Sequence, residues 1–420
     1  MIVFNSLIAG LTVLFTVIQS CLAFGLLRKL RQAAQVQPVV DAALPLTAVL
    51  LCLRGGDPFL PRTLVGLLSQ NYPRYQVRII VDSKSDPAWQ VASDAVAQYP
   101  LRDAKVCELE NYRVECGLKC SSLLQAVQSL DENVEVIAQL DADTIPHPNW
   151  LRDLVAPLLD PAVGAATGNR WYMPEEATIG SLMRYFWNAA AIVLMYWCQI
   201  PWGGTLAIKR SLLRQSDLME RWGKAFCEDT MLYTVLCQHK LRLAFVPSLM
   251  MINREDCDIG GFFRWVSRQL LTARLYHPGW PKVVLHGVSL TVLPALCLVA
   301  IGLGVRQGNL TAVTGCVIAL TCLEISLFML LVMLERSMRR VAASRNEPTG
   351  WLSPAMIGKS IIALPLLQMV YPLSMAVAYF RKIVDWRGVS YRVDGSWQIR
   401  LMEYRPYAVS AFPAERTESL

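Results

Sequence analysis

The run Glu135-Val136-Ile137-Ala138-Gln139-Leu140-Asp141-Ala142-Asp143 decides the fold. It reads as a short buried strand that stops directly on two carboxylates one residue apart, followed by a proline-containing loop that holds Trp150. Open α/β sheets bind ligands beyond the carboxyl ends of their strands, so polar chemistry belongs at this edge. Working outward, residues 46–53 and 75–81 have the same buried-strand character, and a helical stretch at 61–70 separates them. A further strand is expected at 241–246, after a helix that starts near Cys227. Strands alternating with helices predict βαβ units in a mainly parallel sheet.

The rest of the chain does not read as a soluble enzyme. Of its 420 residues, 54% are hydrophobic and only 17% charged, and the apolar residues concentrate at the two ends. Residues 2–27 are long enough to span a bilayer, lack a basic leading region and run at once into Arg28-Lys29-Leu30-Arg31, as an uncleaved anchor does. Basic residues stay cytoplasmic, which puts the N-terminus outside and the central domain in the cytoplasm. Three apolar segments follow the domain, at 283–305, 310–334 and 354–380. If all three crossed, the basic tail from Arg381 would face outside, against the charge rule. The third segment contains Pro354, Pro365 and Pro372 and is therefore expected to be kinked, re-entrant or interfacial, unless the amphipathic stretch 183–202 also engages the membrane.

The net charge of +7 comes from Lys and Arg beside the apolar segments, such as Arg336, Arg339 and Arg340. That placement points to lipid headgroups rather than nucleic acid. Twelve cysteines lack CxxC pairs or a Cys/His metal spacing, and they read as reduced packing residues. The last dozen residues are expected to fray.

Each acidic site has a functional reading and a structural one. Asp82 ends the strand at 75–81, where it would meet a nucleobase or ribose or simply form a turn, and Asp86 lies one short turn on. Asp141 and Asp143, as alternate residues at a strand end, would place one carboxylate toward a ribose and the other on a hard divalent ion bridging a diphosphate; the plain alternative is a turn. Glu228-Asp229 either opens a helix as a cap or supplies a general base at Asp229 for an acceptor hydroxyl. Lys119, after Gly117-Leu118, suits a diphosphate or base contact or is one more solvated lysine. Gly203-Gly204 allows close approach of a ligand or marks a turn, and Arg264-Trp265 lies in an amphipathic stretch where such residues also anchor at membrane interfaces.

The order Asp82, Gly117-x-Lys119, Asp141-x-Asp143, Gly203-Gly204, Glu228-Asp229, Arg264-Trp265 and then apolar segments resembles the membrane-bound family 2 glycosyltransferases, most closely the ceramide glucosyltransferase-like branch. The resemblance covers residues 45–280, and Asp385-Trp386-Arg387-Gly388-Val389-Ser390-Tyr391 also looks like that branch's post-membrane segment. It implies an α/β, GT-A type nucleotide-sugar-binding domain with a mixed, mainly parallel sheet, flanked by N-terminal and C-terminal transmembrane helices. The implied organisation is an anchor at 1–30, the cytosolic domain at 45–260, an amphipathic segment at 261–282, membrane or interfacial helices at 283–380 and a cytosolic tail at 381–420.

By the same resemblance Asp82, Asp86, Lys119, Asp141, Arg264 and Trp265 contact the donor and Asp143 holds Mg²⁺ or Mn²⁺. Gly203, Gly204 and Glu228 lie on the acceptor side, with Asp229 as base. One position departs from the family motif: Gly261 stands three before Arg264, where Gln or Arg is expected, so that contact is absent or comes from a residue such as Arg254 or Arg268. The implied reaction is inverting transfer of a hexose from a nucleotide-diphosphate sugar, such as a UDP-hexose, to a membrane lipid hydroxyl. A processive polysaccharide synthase, a non-catalytic scaffold, and a transporter using Glu324 are the alternatives, and the small number of spans argues against a channel.

Overall fold

The computed structural model describes residues 2–32, 39–350, 353–405 and 407; the last dozen residues, expected to fray, lie outside them. The chain opens with helix α1 (Ile2–Gln32). The central domain then runs β1 (Thr47–Leu53), α2 (Leu60–Leu68), β2 (Tyr75–Val81), α3 (Pro87–Ala97), β3 (Ala104–Glu108), α4 (Leu118–Gln128), β4 (Val136–Leu140) and α5 (Trp150–Val155). It continues with β5 (Val163–Tyr172), α6 (Ile179–Cys198), β6 (Thr205–Lys209), α7 (Arg210–Gln215), α8 (Leu218–Trp222), α9 (Leu232–Gln238) and β7 (Arg242–Asn253). Four long helices follow: α10 (Ile259–Tyr276), α11 (Trp280–Arg306), α12 (Leu310–Ala343) and α13 (Pro354–Phe380). A small sheet of β8 (Ile383–Trp386), β9 (Val389–Gly395) and β10 (Gln398–Glu403) closes the described chain.

The seven strands β1–β7 form one sheet in the order β3-β2-β1-β4-β6-β5-β7, in which β6 alone runs against its neighbours. This is the mixed, mainly parallel sheet expected of a GT-A type domain. Both faces are covered, which is why the central strands read as continuous apolar runs. Along β1, Val49, Leu51 and Leu53 face α2, α3 and α5, whereas Ala48 and Leu50 join the core that includes α4 and α6. That second core continues without a break into α10, α12 and α13 through Phe262, Leu330, Leu334 and Leu367. The catalytic-type domain and the long helices therefore share one hydrophobic interior.

Three expected strands are present at almost the expected limits. The fourth, β7, is longer than 241–246 because it pairs with β5 along its whole length, past two register shifts. The helix expected to start near Cys227 begins only at Leu232. None of the twelve cysteines forms a disulfide.

Helices α1, α11, α12 and α13 are long and apolar enough to cross a membrane. Their outward side chains, among them Leu14, Leu298, Phe328 and Ile361, are exposed apolar groups suited to lipid. Helix α13 is one continuous helix through Pro365 and Pro372. Near its start Lys359 donates to the Ala177 carbonyl (3.2 Å), at its middle Tyr371 meets Trp187, and near its end Tyr379 lies 5.6 Å from the Arg274 guanidinium. Both ends of α13 thus touch the globular part, and the helix lies along α6 and α10.

The return of α12 to the domain is fixed by Glu335. One carboxylate oxygen accepts from Trp171 Nε1 (2.8 Å) and Tyr185 Oη (3.1 Å), and the other accepts from Arg339 (2.8 Å). Replacing Glu335 by Leu leaves two buried donors without an acceptor, each costing about 1–3 kcal/mol. The expected outcome is a lower thermal unfolding midpoint of the detergent-solubilised chain, whereas Arg336→Ala, in the same helix, leaves it unchanged.

Candidate active site

The carboxyl ends of β1, β2 and β4 open onto a polar cavity of about 190 Å³. Its lining brings together Asp82, Lys119, Asp141, Asp143, Gly203, Gly204, Glu228 and Asp229, which are spread over almost 150 positions of sequence. Lys119 is the organising cation. Gly117 caps the start of α4, and a Cβ there would lie 2.4 Å from the Phe226 carbonyl, so only glycine lets the 225–228 loop come this close. Lys119 Nζ then reaches Asp141 Oδ1 at 2.6 Å and Glu228 Oε1 at 2.7 Å.

Burial sets the charge states of this cluster. It opposes a charge on Lys119, but the two carboxylates outweigh it and hold the lysine well above its usual value. Burial likewise disfavours ionised Asp141, yet Lys119 and Arg170 keep it below its usual range. Glu228 shares the same lysine but stays raised, because it is more deeply buried and faces Asp229 and Asp141.

Asp143 is different: burial pushes it up to about 7, with Arg170 only partly opposing and Asp141, Asp57 and Glu255 adding to the rise. Its partners are long contacts, 3.3 Å to Thr144 Oγ1, 3.3 Å to Asn253 Nδ2 and 3.8 Å to Arg170 Nη1. A buried carboxylate so weakly compensated, beside a second carboxylate at Asp141, fits a hard divalent cation. Among the described residues no group of three metal-ligating side chains exists.

Asp229 does not cap α9, whose first residue is Leu232. Instead its Oδ2 accepts from the Gly203 amide (2.9 Å) and its Oδ1 from the Thr230 amide (2.7 Å). A side chain at Gly203 would strike Glu228 Oε1 at 2.1 Å, so the glycine is a close-approach position rather than a free turn. Gly204 is equally tight, against the Trp202 ring and Asp141.

Two named residues stand apart. Asp86 caps α3, its oxygens accepting from Ala88 (2.8 Å) and Gly55 (2.9 Å) amides, and it does not line the cavity. Arg264 is exposed and lines neither the polar cavity nor the apolar one beside it, while Trp265 is buried among Tyr172 and Trp187 and lines only the apolar one. Asp82 does line the cavity, but its carboxylate is engaged by the Arg54 guanidinium, Tyr404 Oη (3.1 Å) and the Tyr407 amide (3.3 Å).

Arg54, Arg170 and Gln269, which no sequence motif marked, also line the cavity, as do Trp386 and Arg387 of the post-membrane segment, to which the resemblance gave no site role. Arg268, raised from the sequence as a substitute for the contact missing at Gly261, lines it as well. Burial, with Arg170 and Arg387 close by, lowers Arg268 to about 10, and no carboxylate pairs with it among the described residues. Arg254, the other substitute, lies elsewhere, donating to the Pro348 carbonyl and 3.9 Å from Glu347.

A second cavity, of about 290 Å³, adjoins the first and is mainly apolar. Residues from α1, α6, α10, α11, α12 and α13 line it, including Ala23, Phe186, Leu290, Phe328 and Leu367. Arg170, Trp202, Asp229, Gln269 and Thr272 belong to both cavities.

The family model of glycosyl transferase family 21 matches residues 11–399. Among solved structures, the chain is similar to a mannosyltransferase from Pyrobaculum calidifontis in complex with GDP-Man and Mn²⁺, at 16% identity over 89% of this chain and 99% of that one, with a TM-score of 0.47. It is also similar to glucosyl-3-phosphoglycerate synthase from Mycobacterium tuberculosis, at 14% identity over 58% of this chain and 88% of that one, with a TM-score of 0.38.

Removing Lys119 strands Glu228 as a buried, unpaired acid beside Asp141. Lys119→Met is expected to destabilise the chain by about 3–5 kcal/mol, read by chemical unfolding, because breaking one side of a buried pair leaves the other charge uncompensated. Adding Glu228→Gln should recover a large part of that loss; no recovery in the double variant would show that the pair is not coupled.

Proposed function

The chain belongs to glycosyl transferase family 21, and from that premise we propose that it moves a hexose from a nucleotide-diphosphate sugar to the hydroxyl of a membrane lipid, with inversion. The observation that carries this reading is the seam between the two cavities, where Asp229 faces a polar chamber on one side and an apolar one on the other. A growing glycan needs a wet, polar path. The second chamber, walled mostly by leucine, alanine and aromatic side chains with Glu324, His286 and Gln368 among them, suits acyl or alkyl chains instead.

In the proposed mechanism the donor occupies the polar chamber with its diphosphate near Arg268 and Arg170, the guanidiniums that no near carboxylate neutralises fully. Asp143, with Asp141, would hold Mg²⁺ or Mn²⁺, which when bound supplies positive charge to the leaving diphosphate. Lys119 fixes Asp141 and Glu228 in place. The lipid hydroxyl comes up through the apolar chamber to Asp229. There a carboxylate oxygen, oriented by the Gly203 and Thr230 amides, takes the hydroxyl proton as the oxygen attacks the anomeric carbon. The nucleoside diphosphate leaves from the opposite face, so a single displacement inverts the centre. Trp202, in contact with both chambers, excludes water from the seam.

The membrane arrangement follows the same reading. Helices α1, α11 and α12 cross, and α13 lies at the interface beside α10. This keeps the domain and the tail on one side, which the basic cluster Arg28, Lys29 and Arg31 marks as cytoplasmic. The domain is the segment 45–260, and the helices beyond it wall the acceptor chamber.

The direct test incubates purified chain with UDP-hexoses, Mg²⁺ or Mn²⁺ and an extract of membrane lipids, and reads sugar transfer by mass spectrometry. Metal-independent nucleotide binding without transfer to any lipid would favour a scaffold. Asp229→Asn is expected to lower transfer by about 10²–10⁴-fold while donor affinity stays near that of the parent chain. Loss of donor binding in this variant would remove the base assignment. For Asp143→Ala, the expected result is that added Mn²⁺ no longer tightens nucleoside diphosphate binding, measured by calorimetry; an unchanged metal titration would place the ion elsewhere.

A further inference from the structure

The polar cavity has a wall that does not come from the domain. Trp386 and Arg387 line it, although four long helices separate them in sequence from β7. They sit at the tip of the β8–β9 hairpin, where Trp386 pairs with Val389 and the two-residue loop is Arg387-Gly388. Both loop residues have positive φ, 46° and 75°. A turn of this type favours Asn or Asp followed by Gly, so an arginine at its first position is a strained choice at a point that faces a cavity.

The hairpin tip is locked to the sheet edge. Arg54 Nε donates to the Arg387 carbonyl (3.0 Å), Arg387 donates to the Arg54 carbonyl, and Arg387 Nη2 lies 3.4 Å from Asp57 Oδ2. Behind it, Tyr391 Oη accepts from the Leu118 amide (3.1 Å) at the start of α4, one residue before Lys119. The Arg268 guanidinium stands over the Trp386 ring at 5.6 Å. Arg170, Arg268 and Arg387 therefore converge on one chamber, and Arg268 meets an aromatic face where a carboxylate would be expected. The chamber also holds five carboxylates, but Asp141 and Glu228 are tied to Lys119 and Asp82 to Arg54, while Arg268 has no ion-pair partner among the described residues, which leaves guanidinium charge available to a polyanion.

We propose that the β8–β9 hairpin is part of the donor site: Arg387 contacts the diphosphate of the sugar nucleotide, and Trp386 holds Arg268 in position to do the same. This rests on the donor reading given above. It makes the site composite, complete only when the chain beyond the long helices has folded back onto the domain.

The test titrates the purified full chain, with Mn²⁺ present, with UDP and UMP and with GDP and GMP. The readout is each diphosphate-to-monophosphate affinity ratio. In the better-bound pair, Arg387→Met and Trp386→Ala are expected to reduce that ratio about tenfold with monophosphate affinity within about twofold of the parent, because only the outer phosphate loses its partner. Arg387→Lys, which keeps the charge and the backbone carbonyl that accepts from Arg54, should restore part of the ratio. An unchanged ratio in all three variants would overturn the proposal, as would equal weakening of both nucleotides, which marks a structural role. If the parent chain binds neither UDP nor GDP, the donor reading itself falls, and that result is separate from a parent that binds while the variants match it.

Discussion

Everything at the sheet edge depends on one buried ammonium. Lys119 ties the first turn of α4 to the end of β4 through Asp141 and to the loop before α9 through Glu228. Without a cation at that point, Asp141, Asp143, Glu228 and Asp229 would repel one another in a partly buried site where water screens them less than at a surface. The glycines serve the same constraint. Gly117 admits the Phe226 carbonyl, Gly203 admits Glu228, and Gly204 admits Asp141, so three backbone positions without side chains allow the acids to crowd onto a single lysine. An arrangement of this kind is organised before any ligand arrives.

The long helices are better described as walls than as anchors. One of the two main cores runs from the sheet into α10, α12 and α13, so the domain cannot be lifted away without opening its own interior. Glu335 reinforces that joint from the α12 side. The apolar chamber exists because α6 and α10 leave a gap that α1, α11, α12 and α13 close, and Asp229 sits where the gap meets the sheet edge. Helix α13 also packs back on the rest of the chain, touching Ala177 near its start and Arg274 of α10 near its end.

How much of this was legible follows from where each signal lies. The strands ending at Asp82 and Asp141 are local, apolar and buried on both faces, and they occur almost where the residue pattern put them. Strand β5 was not anticipated. Its stretch Thr167-Gly168-Asn169-Arg170 is polar, and Asn169 and Arg170 line the cavities, so a strand that meets a site hides the apolar signature that reveals a structural one. Asp86 and Asp82 look alike in sequence; Pro87 at the first position of α3 turns Asp86 into a cap, while Asp82 keeps one edge on the cavity. On α10 the motif drew attention to Arg264, yet the cavity begins one turn later, at Arg268 and Gln269. The segment 385–391 stood out by resemblance, but its place at the cavity did not, since no local pattern tells residues 386–387 that they will line a chamber with Asp141.

Glu228 and Asp229 show how adjacent acids acquire separate duties. They are neighbours in sequence, but backbone direction sends them to different surroundings. Glu228 is buried, ion-paired to Lys119 and walled off by the close approach of Gly203, so its carboxylate serves geometry. Asp229 is half-buried and, among the described residues, is held by two backbone amides, one on each oxygen. It also borders both chambers, whereas Glu228 borders only the polar one. A base for a lipid hydroxyl must be reachable from the apolar side and fixed without being neutralised by a cation. Of the acids gathered on this edge, Asp229 alone lines both chambers, and that is the physical ground for giving it the proton.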